Sequence, residues 1–221
     1  ITHGGLANYL RFAEDSYTVA TPENPNARPI APLFSALTFD LTITTLFMPI
    51  LAGGTLLVVA DDGPSGLTTI AARTDINWCK ATPSHLELLV RLLPEHHDLR
   101  TLVVGGEAFG SRLAGDLLQR NPDLNIYNEY GPTEAVVGCM IHRVDPAELS
   151  RQAEVPIGVP APGVHLIIID DFGQRVPIGS PGELCIAHHG VTSGYLRSDE
   201  DSAGDIDPDD HDTPFITIDG S

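Results

Sequence analysis

"TPSHLELLVRLLPEHHDLRTLVVGGEAFGSRLAGDLLQRNPDLNIYNEYGPTE", residues 82–134, decides the fold class. Thr82 stands at an N-cap position and Pro83 at the first helical position, where a missing N–H costs nothing and the fixed φ suits a helix. Leu86, Leu89, Val90 and Leu93 recur at helical spacing until Pro94 stops the run. "TLVVGGEA" (101–108) is a β-rich apolar run that ends in a glycine pair and polar residues, so it reads as a strand. "SRLAGDLLQR" (111–120) returns to the helical period, and "LNIYNEYG" (124–131) reads as a further strand.

With "TLLVVA" (55–60) as an earlier strand, this alternation of strand and helix is the pattern of βαβ units. It predicts an α/β chain with mixed, partly parallel sheets flanked by helices. "GGEA" and "NEYGPTE" then fall at the carboxyl ends of strands, where open α/β sheets bind ligands. Two local readings of "NEYGPTE" stay open. Gly131-Pro132 is a turn signal, and Thr133 and Glu134 after it suit an exposed loop or helix start. Alternatively, a ring, a hydroxyl and a carboxylate at a strand end serve a base, a phosphate and a cation.

After about residue 155 the helical period disappears. "VHLIIIDDFGQRVPIGSPGELCIAHHGV" (164–191) reads as short strands joined by turns at Asp171–Gly173 and Gly179–Gly182. Two parts are expected: an α/β part over 1–155 and a small, distorted β-barrel-like subdomain over 156–221. The run "RSDEDSAGDIDPDDHDTP" (197–214) has almost no apolar residues and dense negative charge, and is expected to be a mobile, solvated loop.

Composition narrows the classes. The 221 residues are 42% hydrophobic, enough for a real core. Thirty acidic against 12 basic residues give a net charge of -18, which disfavours nucleic acid and anionic membranes as partners. Cys79, Cys139 and Cys185 are widely spaced and lack a C-x-x-C, so they form neither a disulfide framework nor a zinc site, and they suit a reducing cytoplasm. His96-His97 and His188-His189 are adjacent pairs whose rings point apart on a strand and do not face each other on a helix, so a shared metal is not expected. No signal peptide or long apolar run is visible, and the opening "ITHGGLANYL" reads as part of something longer.

These residues resemble the adenylation domains of nonribosomal peptide synthetases, within the adenylate-forming superfamily. "NEYGPTE" matches that family's N-x-Y-G-P-T-E signature at every defined position. "PIGVPAPGVHLIIIDDFGQRVPIGSPGELCIAHHGVTSGYLR" (156–197) follows the family's stretch ending G-E-L-x-I-x-G-x-G-V-x-x-G-Y-L. "FSALTFDLTITTLFMPILAGGTLLVV" (34–59) resembles its F-D-x-S segment, and the likeness is colinear over about residues 1–197.

The resemblance implies an ATP-dependent ligase that activates an amino acid as the aminoacyl-adenylate. It implies ATP and Mg²⁺ as cofactors, a peptidyl carrier protein with its phosphopantetheine thiol as acceptor and, where one is required, a small activator protein. It assigns Tyr130 to adenine, Thr133 to the α-phosphate and Glu134 to Mg²⁺, with Thr133 and Glu134 as the catalytic pair. Gly105, Gly106, Glu107 and Ala108 line the nucleotide with Asn128 and Gly131, and Asp219 in "TID" stands for the aspartate that binds the ribose. It places Phe39, Asp40, Leu41, Thr44, Lys80, Val103, Gly105, Glu129, Val137 and Gly138 around the amino acid, with Asp40 pairing its ammonium. An aspartate at such a position also suits a helix cap.

That set resembles the pocket of asparagine-activating domains, with aspartate-activating ones next. Lys80 offers only donors and ionised Glu129 only acceptors, so together they match both ends of a carboxamide. A plain Lys80–Glu129 salt bridge lining an indifferent pocket is the alternative. Departures also count. His188 stands where the family has glycine, a phosphate-clamping loop is expected before residue 1, and a subdomain with a catalytic lysine is expected beyond the end. This stretch by itself is therefore expected to bind part of the substrates and not to complete catalysis. An acyl- or aryl-CoA ligase and a non-catalytic nucleotide-binding module remain the competing readings.

Overall fold

The structure, a computed structural model, describes residues 1–59, 64–94, 97–195 and the strand at 216–218. In chain order the elements are α1 (His3–Ser16), β1 (Ile30–Leu33), α2 (Leu41–Leu51), β2 (Thr55–Val58), α3 (Pro64–Ala71), β3 (Trp78–Ala81), α4 (Pro83–Leu92), β4 (Thr101–Gly105), α5 (Ser111–Arg120), β5 (Asn125–Tyr130), a single 3-10 turn (Thr133–Ala135), β6 (Met140–Arg143), β7 (Val159–Pro160), β8 (His165–Ile169), β9 (Glu183–Ala187) and β10 (Ile216–Ile218). Helix α4 starts as its sequence asks: Thr82 accepts from the His85 N–H, and the His85 ring reaches back to the Thr82 N–H. Helix α5 spans the expected residues.

Other elements carry weak local signals. Helix α2, "LTITTLFMPIL", is rich in β-branched residues and contains Pro49, so its period is masked. Strand β3 is only four residues long and buried at each of them, which leaves no alternation to read.

The main sheet runs in the order β3-β4-β5-β6-β7, with β3, β4 and β5 parallel and β6 and β7 antiparallel. It therefore continues to Pro160, past residue 155. Strands β1 and β2 form a separate parallel pair. Beyond them, β10-β9-β8 form a three-stranded antiparallel sheet. The expected turn at 171–173 is there: Asp170 Oδ1 accepts from the Phe172 and Gln174 N–H groups.

Register places the site. Lys80 pairs Val103, and Gly105 pairs Glu129. Strand side chains alternate between faces, so Trp78, Lys80, Thr101, Val103, Gly105, Tyr127 and Glu129 share one face of the parallel strands. Cys79, Ala81, Leu102, Val104 and Ile126 share the other, where they meet Leu86 and Leu89 of α4 and Leu113 and Leu117 of α5 in one apolar cluster. On the first face Tyr9, Leu10 and Ala13 of α1 and Met48 of α2 close over Trp78 and Val103.

Candidate active site

Lys80 and Glu129 meet on that first face as an ion pair, Nζ to Oε1 2.6 Å, with side chains 1% and 2% exposed. A buried ion pair is tolerated only when its remaining donors and acceptors are satisfied, and here they are. Lys80 Nζ also donates to Thr44 Oγ1 (2.7 Å) and Tyr9 Oη (3.2 Å). Tyr9 lies 3.0 Å from Glu129 Oε1, and Tyr17 donates to Oε2 at 2.8 Å.

One assignment of protons closes the network. Lys80 donates to Glu129, Thr44 and Tyr9, Thr44 donates to Tyr9, and both tyrosines donate to Glu129. Glu129 Oε1 then faces Lys80 and Tyr9 and Oε2 faces Tyr9 and Tyr17, the one Tyr9 proton lying between the two oxygens at 3.0 and 3.1 Å; three protons thus meet a carboxylate with about four lone-pair positions, one fewer than it can accept. Burial raises both tyrosine pKa values well above the usual phenol range, and the Glu129 charge adds to the rise, so both hydroxyls stay protonated as donors.

The neighbouring glycines make room for this pair. A Cβ on Gly138 would lie 2.3 Å from Glu129 Oε1, and one on Gly105 would lie 2.9 Å from the Glu129 carbonyl oxygen. Either side chain would collide with the pair or its strand. Thr44, Lys80, Val103, Gly105, Glu129, Val137 and Gly138 thus lie together on this face.

The turn that follows β5 is strained. Thr133–Ala135 form a single 3-10 turn, and Val136 and Val137 follow at φ 61° and 64°. β-branched residues almost never enter this left-handed region, where each costs about 1 to 3 kcal/mol. The Gly138 N–H donates to the Val136 carbonyl at 2.7 Å, closing a tight turn around Val137. The strain persists because the surroundings over-determine the turn: Val136 and Val137 are buried with Tyr9 and Trp78, and the Thr192 N–H holds the Glu134 carbonyl at 2.8 Å.

That turn presents Thr133 and Glu134. The Thr133 hydroxyl donates to Asp40 Oδ2 at 2.5 Å. Asp40 precedes α2 but has helical dihedrals and makes no side-chain capping bond, so its carboxylate is engaged by Thr133 and not by the helix. Glu134 Oε1 accepts from the Tyr195 hydroxyl. Its other oxygen is a hard donor of the kind that suits Mg²⁺.

Gly105 to Ala108 leave the end of β4 beside Tyr130 at the end of β5. Gly106 has φ +83°, and a Cβ there would approach the Phe39 ring at 3.0 Å, which brings Phe39 and Leu41 to this loop. Glu107 accepts from the Ser84 N–H and hydroxyl. Partial burial pushes its carboxyl up, but hydrogen bonds from Ser84 and Thr82 outweigh it and hold the group below the usual range. Glu107 thus secures the first turn of α4. Asn128 points to the opposite sheet face from Glu129, and its amide donates to the Val155 and Pro156 carbonyls. Its side chain is not brought to the cleft. Asp219 and the acidic run at 197–214 lie outside the described residues, as does His96.

Tyr9, Tyr17 and Tyr195 join this neighbourhood without a sequence signal, save that a buried tyrosine hydroxyl needs a partner, which points to the first two; His188 stood out in the sequence only as a departure from the family's motif. A groove of about 800 Å³ opens at the other edge, lined by Thr18, Asn77, Arg100 and Asn125 among others. It sits at the amino ends of β3–β5, opposite the edge where α/β sheets bind ligands. The site argued above rests on its chemistry, not on the size of that groove. Among the described residues no helix is long and apolar enough to cross a membrane.

Known proteins resemble most of the chain. The AMP-binding enzyme family matches residues 1–196. Tyrocidine synthase 3 of Brevibacillus parabrevis is 39% identical over 202 residues, 90% of this chain and 3% of its own length. The L-proline–[L-prolyl-carrier protein] ligase of Streptomyces coelicolor is 36% identical over 212 residues, 91% of this chain and 38% of its own. The Vibrio cholerae adenylation domain AlmE, solved with glycyl-adenosine-5'-phosphate, superposes with a TM-score of 0.77 at 25% identity over 90% of this chain and 38% of its own. The chain thus spans well under half the length of these relatives. With a family match over nearly its whole length and an α/β fold shared with the adenylation domains it resembles, this chain belongs to the AMP-binding enzyme family.

Proposed function

We propose that this chain forms the nucleotide- and amino-acid-binding part of an ATP-dependent ligase that activates L-asparagine, with L-aspartate next, for loading onto a peptidyl carrier protein. The carboxylate attacks the α-phosphorus of ATP, forming the aminoacyl-adenylate and releasing pyrophosphate; the carrier's phosphopantetheine thiol then takes the aminoacyl group and AMP leaves. Tyr130 offers a ring to adenine, the backbone of Gly105–Ala108 approaches its edge, and the Thr133 hydroxyl turns to the α-phosphate. Glu134 would hold Mg²⁺, which supplies charge neutralisation at the phosphates when bound. The Thr133 proton that Asp40 Oδ2 accepts in the ligand-free cleft passes to the α-phosphate, and the Asp40 carboxylate then faces the substrate ammonium. Such a step asks the protein for positioning and charge stabilisation more than for covalent chemistry.

The observation that carries the asparagine reading is the closed network with one acceptor position left on Glu129. A carboxamide N–H fills that position, and its oxygen takes the Lys80 proton now shared with Tyr9 over the longest bond, 3.2 Å. A carboxylate has no proton for Glu129 and meets its charge. ATP–pyrophosphate exchange with all amino acids tests this, in a protein extended to the full adenylation length of its relatives. Asparagine should exceed aspartate by about tenfold or more, since an unpaired buried polar group costs about 1 to 3 kcal/mol. A best substrate with an apolar side chain would remove Lys80 and Glu129 from the specificity pocket. An acyl- or aryl-CoA ligase would leave Asp40 without an ammonium to bind, so the amino-acid reading is preferred.

A further inference from the structure

We infer that His188 is a positioning residue that clamps the strained turn bearing Thr133 and Glu134. The inference rests on the adenylation reading for its functional consequence, but not for its geometry. The loop after β9 lies against the turn after β5, and the His188 ring bridges them. The Gly190 N–H donates to His188 Nδ1 at 3.0 Å, so Nδ1 carries no proton. The remaining proton is on Nε2, which lies 3.1 Å from the Ala135 carbonyl and donates to it. Burial lowers the pKa of this ring and outweighs the opposing pull of the Ala135 carbonyl, with His189 adding to the lowering, which agrees with a neutral ring.

The surroundings fit such a bridge. A Cβ on Gly190 would lie 2.5 Å from the His188 ring, so the residue beneath the ring has to be glycine. The Gly190 backbone presses in turn on the start of α1: a Cβ on Gly5 would lie 2.9 Å from Gly190 Cα and 3.2 Å from Val136. The same loop sends the Thr192 N–H to the Glu134 carbonyl. Two consecutive carbonyls of the turn, Glu134 and Ala135, are therefore held by one loop, immediately before Val136 and Val137 enter the left-handed region. Strained backbone keeps its conformation only where neighbours hold it. In this chain, part of that hold is the histidine ring.

Conservative variants separate the two bonds, because glutamine places its amide nitrogen near the position of Nε2 and asparagine places its oxygen near that of Nδ1. His188→Gln, His188→Asn and His188→Ala would be compared in the full-length adenylation protein by amide hydrogen exchange over residues 133–138 and by pyrophosphate exchange. His188→Gln should keep the Ala135, Val136 and Gly138 amides protected and kcat near wild type. His188→Asn and His188→Ala should speed exchange in that turn and lower kcat by about tenfold, the scale of one lost hydrogen bond, with KM for the amino acid little changed. Protection unchanged in the asparagine and alanine variants would overturn the clamp, as would equal losses in all three. If the wild-type protein activates no amino acid at all, the adenylation reading fails, and the amide exchange alone still decides the role of His188.

Discussion

The two faces of β3, β4 and β5 are built from alternate residues of the same strands, yet they behave as different materials. One face is a plain apolar core, with Leu102, Val104 and Ile126 packed against α4 and α5. The other holds a lysine, a glutamate and two tyrosine hydroxyls under α1 and α2, with glycines where a side chain would collide. The apolar face needs only volume and hydrophobicity, and substitutions there are felt as cavities. The polar face needs every proton assigned. The contrast separates what folds this chain from what we propose selects its substrate.

The largest expected effect tests that separation directly. Lys80→Met should destabilise the full-length protein by about 3 to 5 kcal/mol in urea unfolding, because Glu129 is left charged and uncompensated. The double variant Lys80→Met/Glu129→Leu should recover most of that loss while asparagine activation is abolished. If the double variant stays as unstable as the single one, the pair is part of the structural core, and the contrast between the faces fails. Leu102→Ala, on the other face, should cost about 2 to 5 kcal/mol, with no second substitution of similar kind to rescue it.

Next comes the turn. Glu134→Gln should lower pyrophosphate exchange by on the order of 2 to 4 kcal/mol of transition-state stabilisation with the unfolding midpoint unchanged, since an amide is a poor ligand for Mg²⁺. Near wild-type exchange would take Glu134 out of the site. A smaller effect sharpens the substrate assignment: Glu129→His offers a proton where the wild type offers a lone pair, and should shift the asparagine-to-aspartate ratio toward aspartate by about 1 to 3 kcal/mol. Exchange ratios at a single pH measure it, and an unmoved ratio removes Glu129 from specificity.

The smallest effect at neutral pH concerns the thiols. Burial pushes both Cys79 and Cys139 up to about 12, with the Glu129 charge adding at Cys139, so neither should be alkylated in the folded protein at pH 8. The unfolded chain loses these thiol protons near pH 9 and the folded chain near 12, so stability is unaffected below about 9 and falls between the two. Rapid labelling of native Cys79 would show that its face opens.

Much of this architecture was legible in the residues. Helix α4 announced itself by Thr82-Pro83 and a leucine stripe, β4 and β5 by β-rich runs ending at glycine, and α5 by its period. The motif residues of "NEYGPTE" were legible as ring, hydroxyl and carboxylate at a strand end. Asn128 shows the limit. It belongs to the same motif, but the alternation of β5 turns it away to tie down Val155 and Pro156. Helix α2 was hidden by its β-branched residues and Pro49, because local propensity there opposes the state that packing imposes.

Sequence by itself determined the α/β class, the strand ends at which chemistry gathers and the residue types available there, because those depend on period, turn chemistry and short-range spacing. It could not say which groups satisfy one another. The Tyr9 and Tyr17 hydroxyls reach Glu129 across 120 and 112 residues, and His188 reaches Ala135 across 53. Such pairings depend on strand register, on how α1 docks over the sheet and on which glycines let backbones approach. Hydrogen-bond closure in a buried site is a property of the whole arrangement, and no period along the chain encodes it.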